Sequence, residues 1–534
     1  MNLLSDNKGS TESWFKGLHW LFALSLCGCA VGPDFEQPKA LAPPSWSASP
    51  IRSNPAFTQL PSRVVTGPMD ATWWRAFNDP VLTSLEERAA KANLSLRTAA
   101  LRLTQSRAQR GIAAADQFPL LRGNASYTRA KPSEKGVFSI MSSLLGGGST
   151  ASAASGAGLG AAANGTGIGV IAAPAANIKP FNLWQYGFDA SWELDLWGRV
   201  RREVESADAS VEASGEAQRD LLISVMAEVA RDYIELRRVQ RLLTLTRENA
   251  VLAQESLTLT EQRAESGLVN DLEVAEARTQ LANIQAQIPQ LDQQSAQAVN
   301  QLGLLLDEPP RALQTELTAP RPVPPVPPRV PIGLPSELAR RRPDIRQAEA
   351  QLHAATADIG VAVADFYPRI TLSGSVGMQA LQFKDLGNWA ARQYALGPSI
   401  TLPIFEGGRL KATLELREAQ QQEAAIVYHN TVLLAWHEVD NALTAYADEQ
   451  RRNDALNQSV QSSRQTLDLA RRRYRAGISN FLPVLDAQRT LLQAEQDYAN
   501  STSTLAADLV ALYKALGGGW QSPEDGARAD QPPR

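Results

Sequence analysis

The sequence predicts a mainly α-helical chain that carries a membrane β-barrel portion and arises from an internal duplication. Three observations lead to this prediction. Glycine markers recur at a constant spacing, four segments alternate between apolar and polar residues as membrane strands do, and two long segments lack an internal proline. At 1.5 Å per residue, each proline-free segment would form a helix of about 95 to 100 Å, longer than any globular core.

The composition excludes several classes of protein. The 534 residues are 44% hydrophobic and 20% charged, which is ordinary for a folded protein. The formal net charge of -4 gives no basic excess that would point to nucleic acid. Mean hydropathy is -0.24, which excludes a polytopic helical membrane protein. The two cysteines cannot form a disulfide framework.

The N-terminus is interpreted as a lipoprotein signal peptide over residues 1–28. The apolar segment 18–31 is shorter than the roughly 20 residues that span a membrane, and Lys8 and Lys16 precede it. Small residues lie just before Cys29, which resembles a bacterial lipobox and implies cleavage before Cys29 and acylation of that residue. An ordinary secretory signal is the alternative. In both cases the chain leaves the cytoplasm.

The duplication appears when the sequence is compared with itself. Two sets of markers share an offset of 210 residues: Gly198-Arg199 with Gly408-Arg409, and Gly267 with Gly477. Upstream, the segment 116–119 matches 365–368 at an offset of 249, so the first copy holds 39 additional residues. Segment 146–176 accounts for the insert, because it consists almost entirely of small and polar residues and is predicted to be a mobile loop.

Each copy contains one predicted strand hairpin, about 121–196 in the first and 369–404 in the second. Over 184–196, large apolar residues occupy one face and Gln, Asp, Glu, Ser and Gly occupy the other. Strands of about 10 residues with this pattern are typical of outer-membrane barrels, although a soluble β-sandwich is the alternative. Four strands cannot close a barrel, since the smallest barrels need about 8, so several chains must contribute.

The helices are predicted around these hairpins. Each repeat has a long helix after its hairpin, a shorter helix after its tip and another helix before its hairpin. The predicted segments are 199–262 and 409–473 for the long helices, 271–306 and 481–516 after the tips, and 82–118 and 336–366 before the hairpins. We expect these helices to form a long tube that continues the barrel.

Several short motifs then carry a family resemblance. The chain resembles the TolC-like outer-membrane efflux proteins, in their NodT-like or OprM-like lipoprotein branch. The motifs span the mature chain and are Cys29-Ala30-Val31-Gly32-Pro33-Asp34-Phe35, Trp73-Trp74, Phe77-Asn78-Asp79-Pro80, Arg342-Pro343-Asp344-Ile345, Phe405-Glu406-Gly407-Gly408-Arg409, Leu485-Asp486-Ala487-Gln488-Arg489 and Tyr513-Lys514-Ala515-Leu516-Gly517-Gly518-Gly519-Trp520.

The resemblance implies an assembly and a function. Three chains would share a 12-strand barrel in the outer membrane, continued by a periplasmic α-helical barrel. This homotrimer would meet a periplasmic membrane-fusion adaptor and an inner-membrane pump of the resistance-nodulation-division or another type. Drugs or other toxic small molecules would pass through it passively. A TolC-like duct for protein or polysaccharide secretion, and a helical periplasmic scaffold that transports nothing, are the alternatives.

The resemblance also suggests a domain organisation. The predicted segments are a signal peptide at 1–28, an N-terminal linker and equatorial segment at 29–81, a first TolC-like repeat at 82–319, a Pro-rich linker at 320–335, a second repeat at 336–516 and a mobile tail at 517–534.

The two helix tips are expected at Gly267 and Gly477, where glycine relieves the backbone cost of leaving a helix. Past the second tip, Leu482, Asp486 and Arg489 are spaced i, i+4 and i+7 and share one helical face. From spacing alone, a solvated face with an ordinary Asp–Arg contact is an alternative. The resemblance implies instead that these positions line a closed periplasmic aperture, where threefold symmetry turns each residue into a ring.

The first repeat adds carboxylates to this predicted gate. Glu276 lies in register with Asp486, and Asp271 lies nearby. The resemblance implies a further acidic position where this sequence has Pro483, so we expect the first tip to supply that charge. Tyr474 is interpreted either as a latch to a neighbouring helix or as a core tyrosine.

No catalytic site is predicted. His353, His429 and His437 are scattered over predicted helices without a cysteine or carboxylate cluster at metal-ligand spacing. The sequence has no phosphate-binding loop that ends in Gly-Lys-Ser or Gly-Lys-Thr. We therefore predict no enzymatic activity, no cofactor and no metal.

Overall fold

The structure is a computed structural model that describes residues 30–38, 62–67, 70–131, 180–332 and 341–519. Predictions about the signal peptide, Cys29, the loop 146–176 and the end of the tail lie outside the described residues. Within the described part, no helix combines the length and the apolar character needed to cross a membrane.

Eight α-helices and six strands are described here. In chain order they are β1 (Arg63–Thr66), α1 (Pro80–Ala92), α2 (Leu94–Ala115), β2 (Leu120–Ala130), β3 (Phe181–Leu194), α3 (Arg199–Glu265), α4 (Asp271–Leu305), α5 (Gln314–Leu317), β4 (Arg329–Ile332), α6 (Pro343–Ala364), β5 (Arg369–Ala380), β6 (Arg392–Thr401), α7 (Arg409–Arg475) and α8 (Leu482–Ala515). The described residues divide into two compact units. The first contains residues 30–31, 113–131, 180–201 and 363–408, and the second contains the rest.

A four-stranded sheet occupies the first unit. Its order is β2-β3-β5-β6, and all neighbours are antiparallel. One face is apolar yet exposed, and includes Phe188 paired with Val376 in register. The strands lie where the period-two alternation predicts them, because each alternation places one set of side chains on each face.

The predicted hairpin 369–404 is wrong at its far end. Strand β6 starts at Arg392 and ends at Thr401, three residues short of the predicted boundary. The partner strand β5 begins at Arg369, which pairs with Thr401, so the ladder offers no partner to the residues after Thr401. The alternation of Leu402 and Ile404 therefore continues the pattern without continuing the strand.

The single helix predicted over 82–118 is also wrong, because the chain breaks it at Asn93 into α1 and α2. The Asn93 side-chain oxygen accepts hydrogen bonds from the N–H groups of Ser95 (2.9 Å) and Leu96 (3.1 Å). Its amide donates to the carbonyl of Leu305 at 2.9 Å. Asn93 thus caps the second helix, which is what a short polar side chain does at a helix start.

The long helices match their predicted positions. Helices α3 and α7 have 67 residues each, so each extends over roughly 100 Å at 1.5 Å per residue. Helix α4 contains an internal Pro289. Helix α6 begins at Pro343, and residues 333–340, into which the predicted helix 336–366 extends, lie outside the described part.

The largest core lies in the second unit, where the conspicuous aromatic residues of the sequence are buried. The Trp73 ring stacks on the Tyr513 ring with centroids 5.3 Å apart. Asp79 caps α1 by accepting from Val81 N–H at 2.8 Å and also accepts from the Tyr233 hydroxyl at 2.7 Å. These contacts join the short helices that precede the first hairpin to the middle of α3.

Candidate functional site

The candidate site is formed by the two helix tips, where α3 turns into α4 and α7 turns into α8. Gly267 has φ 68° and Gly477 has φ 71°, the left-handed conformation that favours glycine. At the first tip, Gly267 N–H donates to Ala264 O and Leu268 N–H donates to Arg263 O, both at 2.9 Å. This pair of bonds is the Schellman arrangement that ends many helices.

The second tip repeats this geometry. Gly477 N–H donates to Tyr474 O at 2.9 Å, and Ile478 N–H donates to Arg473 O at 3.0 Å. Every participating residue lies 210 positions after its counterpart in the first tip. The duplication therefore preserves the backbone of the tip as well as its sequence markers.

The predicted gate residues lie along the start of α8. Leu482 is the first residue of the helix and is 49% exposed, and Asp486 and Arg489 are exposed on the same helix. Leu482 and Asp486 line a groove of about 430 Å³ together with Thr466 of α7. Arg489 does not follow the simple alternative of an Asp–Arg contact, since its Nε donates to Gln280 Oε1 of α4 at 2.9 Å.

The acidic residues of the first tip lie at the start of α4. Asp271 is the first residue of that helix and is exposed, and Glu276 is half-buried one and a half turns later. Asn270 caps the helix by accepting from the Glu273 N–H at 3.2 Å. The carboxylates of Asp271 and Glu276 thus stay at the surface of a single chain, close to a helix N-terminus that favours negative charge.

Tyr474 is both buried in the core and in contact with a neighbouring helix, the two interpretations that the sequence left open. The residue is only 2% exposed, and its ring centroid is 5.5 Å from that of Phe481. Its hydroxyl lies 3.5 Å from Glu273 Oε2 in the first tip. Burial, the main cause, raises the pKa of the Tyr474 hydroxyl. Tyr474 is therefore a core residue that also contacts the neighbouring helix pair.

Arg263 links the two tips and was not among the predicted site residues. Its guanidinium carbon lies 4.4 Å from the Tyr474 ring centroid, and its Nη1 donates to the Tyr474 carbonyl. A signal was present, because Arg263 and Arg473 occupy equivalent positions of the two repeats. The sequence alone did not show which of the two arginines turns toward the other repeat.

A shared apolar cluster supports both tips. It contains residues from all four long and medium helices: Ala253, Leu257, Ala277, Leu281, Ile284, Leu467, Tyr474, Phe481, Val484, Leu485, Ala487, Leu491 and Leu492. A polar contact crosses the same region, where Gln488 Nε2 donates to Ser256 Oγ at 2.8 Å. The two tips of one chain therefore pack as one body.

Comparison with known proteins gives consistent matches over most of the chain. The model of the family described as outer membrane efflux protein matches residues 85–307 and 334–518. The solvent efflux pump outer membrane protein SrpC of Pseudomonas putida is 32% identical over 95% of this chain and 98% of its own length. Outer membrane protein OprJ of Pseudomonas aeruginosa is 34% identical over 94% of this chain and 95% of its own.

Solved structures agree in fold. The outer-membrane channel OprN is 35% identical, with a TM-score of 0.78 over 92% of this chain and 100% of that one. CusC, a protein that forms a transmembrane channel, is 26% identical to this chain. Its structure gives a TM-score of 0.75 over 92% of this chain and 100% of that one.

Proposed function

The chain belongs to the outer membrane efflux protein family, and from that premise we propose that it is the outer-membrane channel through which an efflux pump passes drugs or other toxic small molecules out of the cell. The movement through the channel is passive. Energy comes from an inner-membrane pump, and a periplasmic adaptor joins that pump to the channel.

The exposed apolar face of the four-stranded sheet carries this proposal. Tyr394 and Leu396 of β6 are each 80% exposed, and Leu121 of β2 is 67% exposed. An exposed apolar face of this kind suits contact with lipid. Strands β2 and β6 are the two edges of the sheet within one chain. Pairing β6 of one copy with β2 of the next removes both edges, and three copies give a closed barrel of 12 strands.

The same threefold arrangement explains how the tips control passage. Three copies of Leu482 form a narrow apolar ring that resists wetting, and three copies of Asp486 form a ring that favours cations. Glu276 and Asp271 add negative charge from the first tip, in place of the acidic residue that Pro483 replaces. Arg489, whose Nε donates to Gln280 Oε1, ties α8 to α4 beside this ring.

The substrate class follows from the family and its members. SrpC is a solvent efflux protein, TtgI of Pseudomonas putida is a toluene efflux protein, and OpmQ exports pyoverdine. These names describe small molecules. They support small molecules as the substrate class of this chain, and we propose that acylated Cys29 anchors it to the outer membrane.

Native mass and conductance test the proposal together. Detergent-extracted protein should contain three chains that begin at an acylated Cys29, and the same preparation should conduct ions across a planar lipid bilayer. Deleting the gene should lower the tolerance of its host bacterium to dyes and detergents, and the wild-type gene should restore it. An unacylated monomer that stays soluble without detergent and does not conduct would contradict the channel and leave only a periplasmic scaffold.

A further inference from the structure

A cleft of about 630 Å³ lies in the second unit, where the end of α8 meets the start of α6. Helices α3 and α7 form its other sides, and its apolar wall consists of Ile223, Pro343 and four alanines. Two sequence motifs meet here, the one that begins at Arg342 and the one that begins at Tyr513. A mainly apolar cleft of this size with a few polar groups is typical of a site for a small organic molecule.

The Arg342 guanidinium belongs to the wall of this cleft and already has partners. Its Nη2 donates to Asp344 Oδ2 and its Nη1 donates to Glu438 Oε2, both at 2.7 Å. The Nη1 also donates to the carbonyl of Ala515 at 2.8 Å. Only 10% of the Arg342 side chain is exposed, so these contacts fix one positive charge between two carboxylates.

The third carboxylate of the cleft, Asp220 on α3, has no such partner. Its side chain is half-buried and makes no hydrogen bond or ion pair with the described residues. Burial raises the pKa of the Asp220 carboxyl, Asp344 raises it further, and the charge of Lys514 opposes the rise. Because a half-buried carboxylate without a partner is unfavourable, a positive group placed beside Asp220 would be favoured.

The formal charge of the cleft leaves a place for one more cation. The carboxylates of Asp220, Asp344 and Glu438 contribute -3. Arg342 and Lys514 contribute +2, which leaves a net charge of -1. The described residues contain no group of three acidic, histidine or cysteine side chains placed to hold a metal ion, so the three carboxylates do not converge as metal ligands do. An organic ammonium group therefore fits the cleft better than a metal ion.

The cleft opens on the uncovered side of α8. Ala511 and Lys514 are exposed there, whereas Tyr513 is buried and stacks on Trp73 in the largest core. That core also holds side chains of α1 and β4, so a layer of short elements covers the other side of α8. Three such layers would block the passage of the proposed trimer if they lay inside its helical tube. They therefore lie outside it, and the cleft faces the passage.

We propose that this cleft binds amphiphilic organic cations on their way through the channel, with the ammonium group beside Asp220 and the apolar part against Ile223, Pro343 and the alanines. This inference rests on the proposed function, because it takes molecules in the passage as the ligands. It adds a defined binding site on the wall of the passage, which prefers one positive charge.

Two matched fluorescent probes test this site with the full-length trimer in lipid nanodiscs. Dansylcadaverine carries one ammonium group, and its N-acetyl derivative has the same dansyl group and chain without the charge. Equilibrium dialysis, with empty nanodiscs as the blank, measures the binding of each probe. Wild type should bind dansylcadaverine about tenfold more tightly than the acetyl derivative, and Asp220→Asn should lose this preference.

Asp440→Asn is the matched control. Asp440 is exposed on α7 but does not line the cleft, so this variant should keep the preference of wild type for dansylcadaverine. Equal affinity of wild type for the two probes, or an unchanged preference in Asp220→Asn, would overturn the inference.

Lys514→Gln should change the binding in the opposite direction. It removes a competing positive charge at an exposed position, so it should bind dansylcadaverine about threefold more tightly than wild type and bind the acetyl derivative equally well. If Asp220→Asn does not assemble as a trimer, Lys514→Gln decides, and unchanged binding of dansylcadaverine would overturn the inference. A wild-type trimer that prefers dansylcadaverine but conducts no ions would instead contradict the proposed function and leave the site in place.

Discussion

The guanidinium carbon of Arg263 lies 4.4 Å from the centroid of the Tyr474 ring, which joins the first tip to the second within one chain. Tyr474 packs in turn against Phe481, the residue just before α8. The position of Leu482 is therefore coupled through two ring contacts to the end of α3. If α8 moves outward to open the proposed aperture, this contact must yield or both tips must move together.

Removing this contact should loosen the proposed periplasmic aperture. A cation–π contact in a partly desolvated site contributes about 0.5 to 2 kcal/mol, and Arg263→Ala removes it together with a hydrogen bond. We expect a higher single-channel conductance for Arg263→Ala than for wild type in planar bilayers. Arg278→Ala is the matched control, because Arg278 is an exposed arginine whose ion pair among the described residues is with the half-buried Glu261 of the same tip. Equal conductance of the two variants would show that Arg263 does not hold the tips.

Asp486 should set the ionic selectivity of the aperture. Three exposed carboxylates in one ring attract cations, so Asp486→Asn is expected to reduce the preference for potassium over chloride. The measurement is the reversal potential in a salt gradient across a bilayer that contains the trimer. Asp497→Asn on the same helix serves as the control, since Asp497 lies three turns further along and accepts from Gln493 at 2.9 Å. If Asp486→Asn leaves the selectivity unchanged, the Asp486 carboxylates do not line the aperture.

Much of this fold follows from the sequence because its patterns are long. Period-two alternation located the four strands of the large sheet, and two proline-free segments located α3 and α7. The ends of individual helices and strands were harder to predict from the sequence. Asn93 divides the predicted helix because it caps α2, and β6 ends at Thr401 because its partner β5 begins at Arg369, although the apolar alternation continues.

The candidate site was only partly predictable for a related reason. Glycine at a left-handed turn is a local requirement, so Gly267 and Gly477 could be assigned from spacing. The contact between Arg263 and Tyr474 depends on how two distant helix pairs pack, which no local pattern encodes. The hydrogen bond from Arg489 to Gln280 was missed for the same reason, and the local i, i+3 spacing suggested Asp486 instead.

A pair of glycines should be essential for the large sheet. Gly187 and Gly377 face each other in β3 and β5, and a Cβ on Gly187 would lie 2.5 Å from the backbone oxygen of Val376. Backbone cannot move away as a side chain does, so Gly187→Ala should separate the two strands. We expect this variant to lose the trimer in heated detergent gels. Gly123→Ala is the control, since its Cβ would meet only the Phe188 ring at 3.5 Å, and equal stability of both variants would contradict the prediction.

Glu86 is the most unusual ionisable group of the second unit. The side chain lies on α1 and is 0% exposed, and neither of its carboxylate oxygens has a hydrogen-bond partner among the described residues. Burial raises the pKa of the Glu86 carboxyl well above its ordinary value of 4.5. The folded state therefore holds this proton more tightly than the unfolded chain does, and ionising the group in place is unfavourable.

The thermal stability of the wild-type protein should accordingly fall as the pH rises. The protonated carboxyl contributes fully below pH 4.5, and its contribution declines as the pH increases toward the raised pKa of the folded state. Glu86→Gln keeps the shape without the titration, so its melting temperature should equal that of wild type near pH 4.5 and exceed it at pH 8. Glu87→Gln is the adjacent control, because Glu87 is exposed and pairs with Arg75 at 3.1 Å, and it should not show this gain. A Glu86→Gln protein that melts below wild type at pH 8 would mean that the carboxylate has a partner in the assembled trimer.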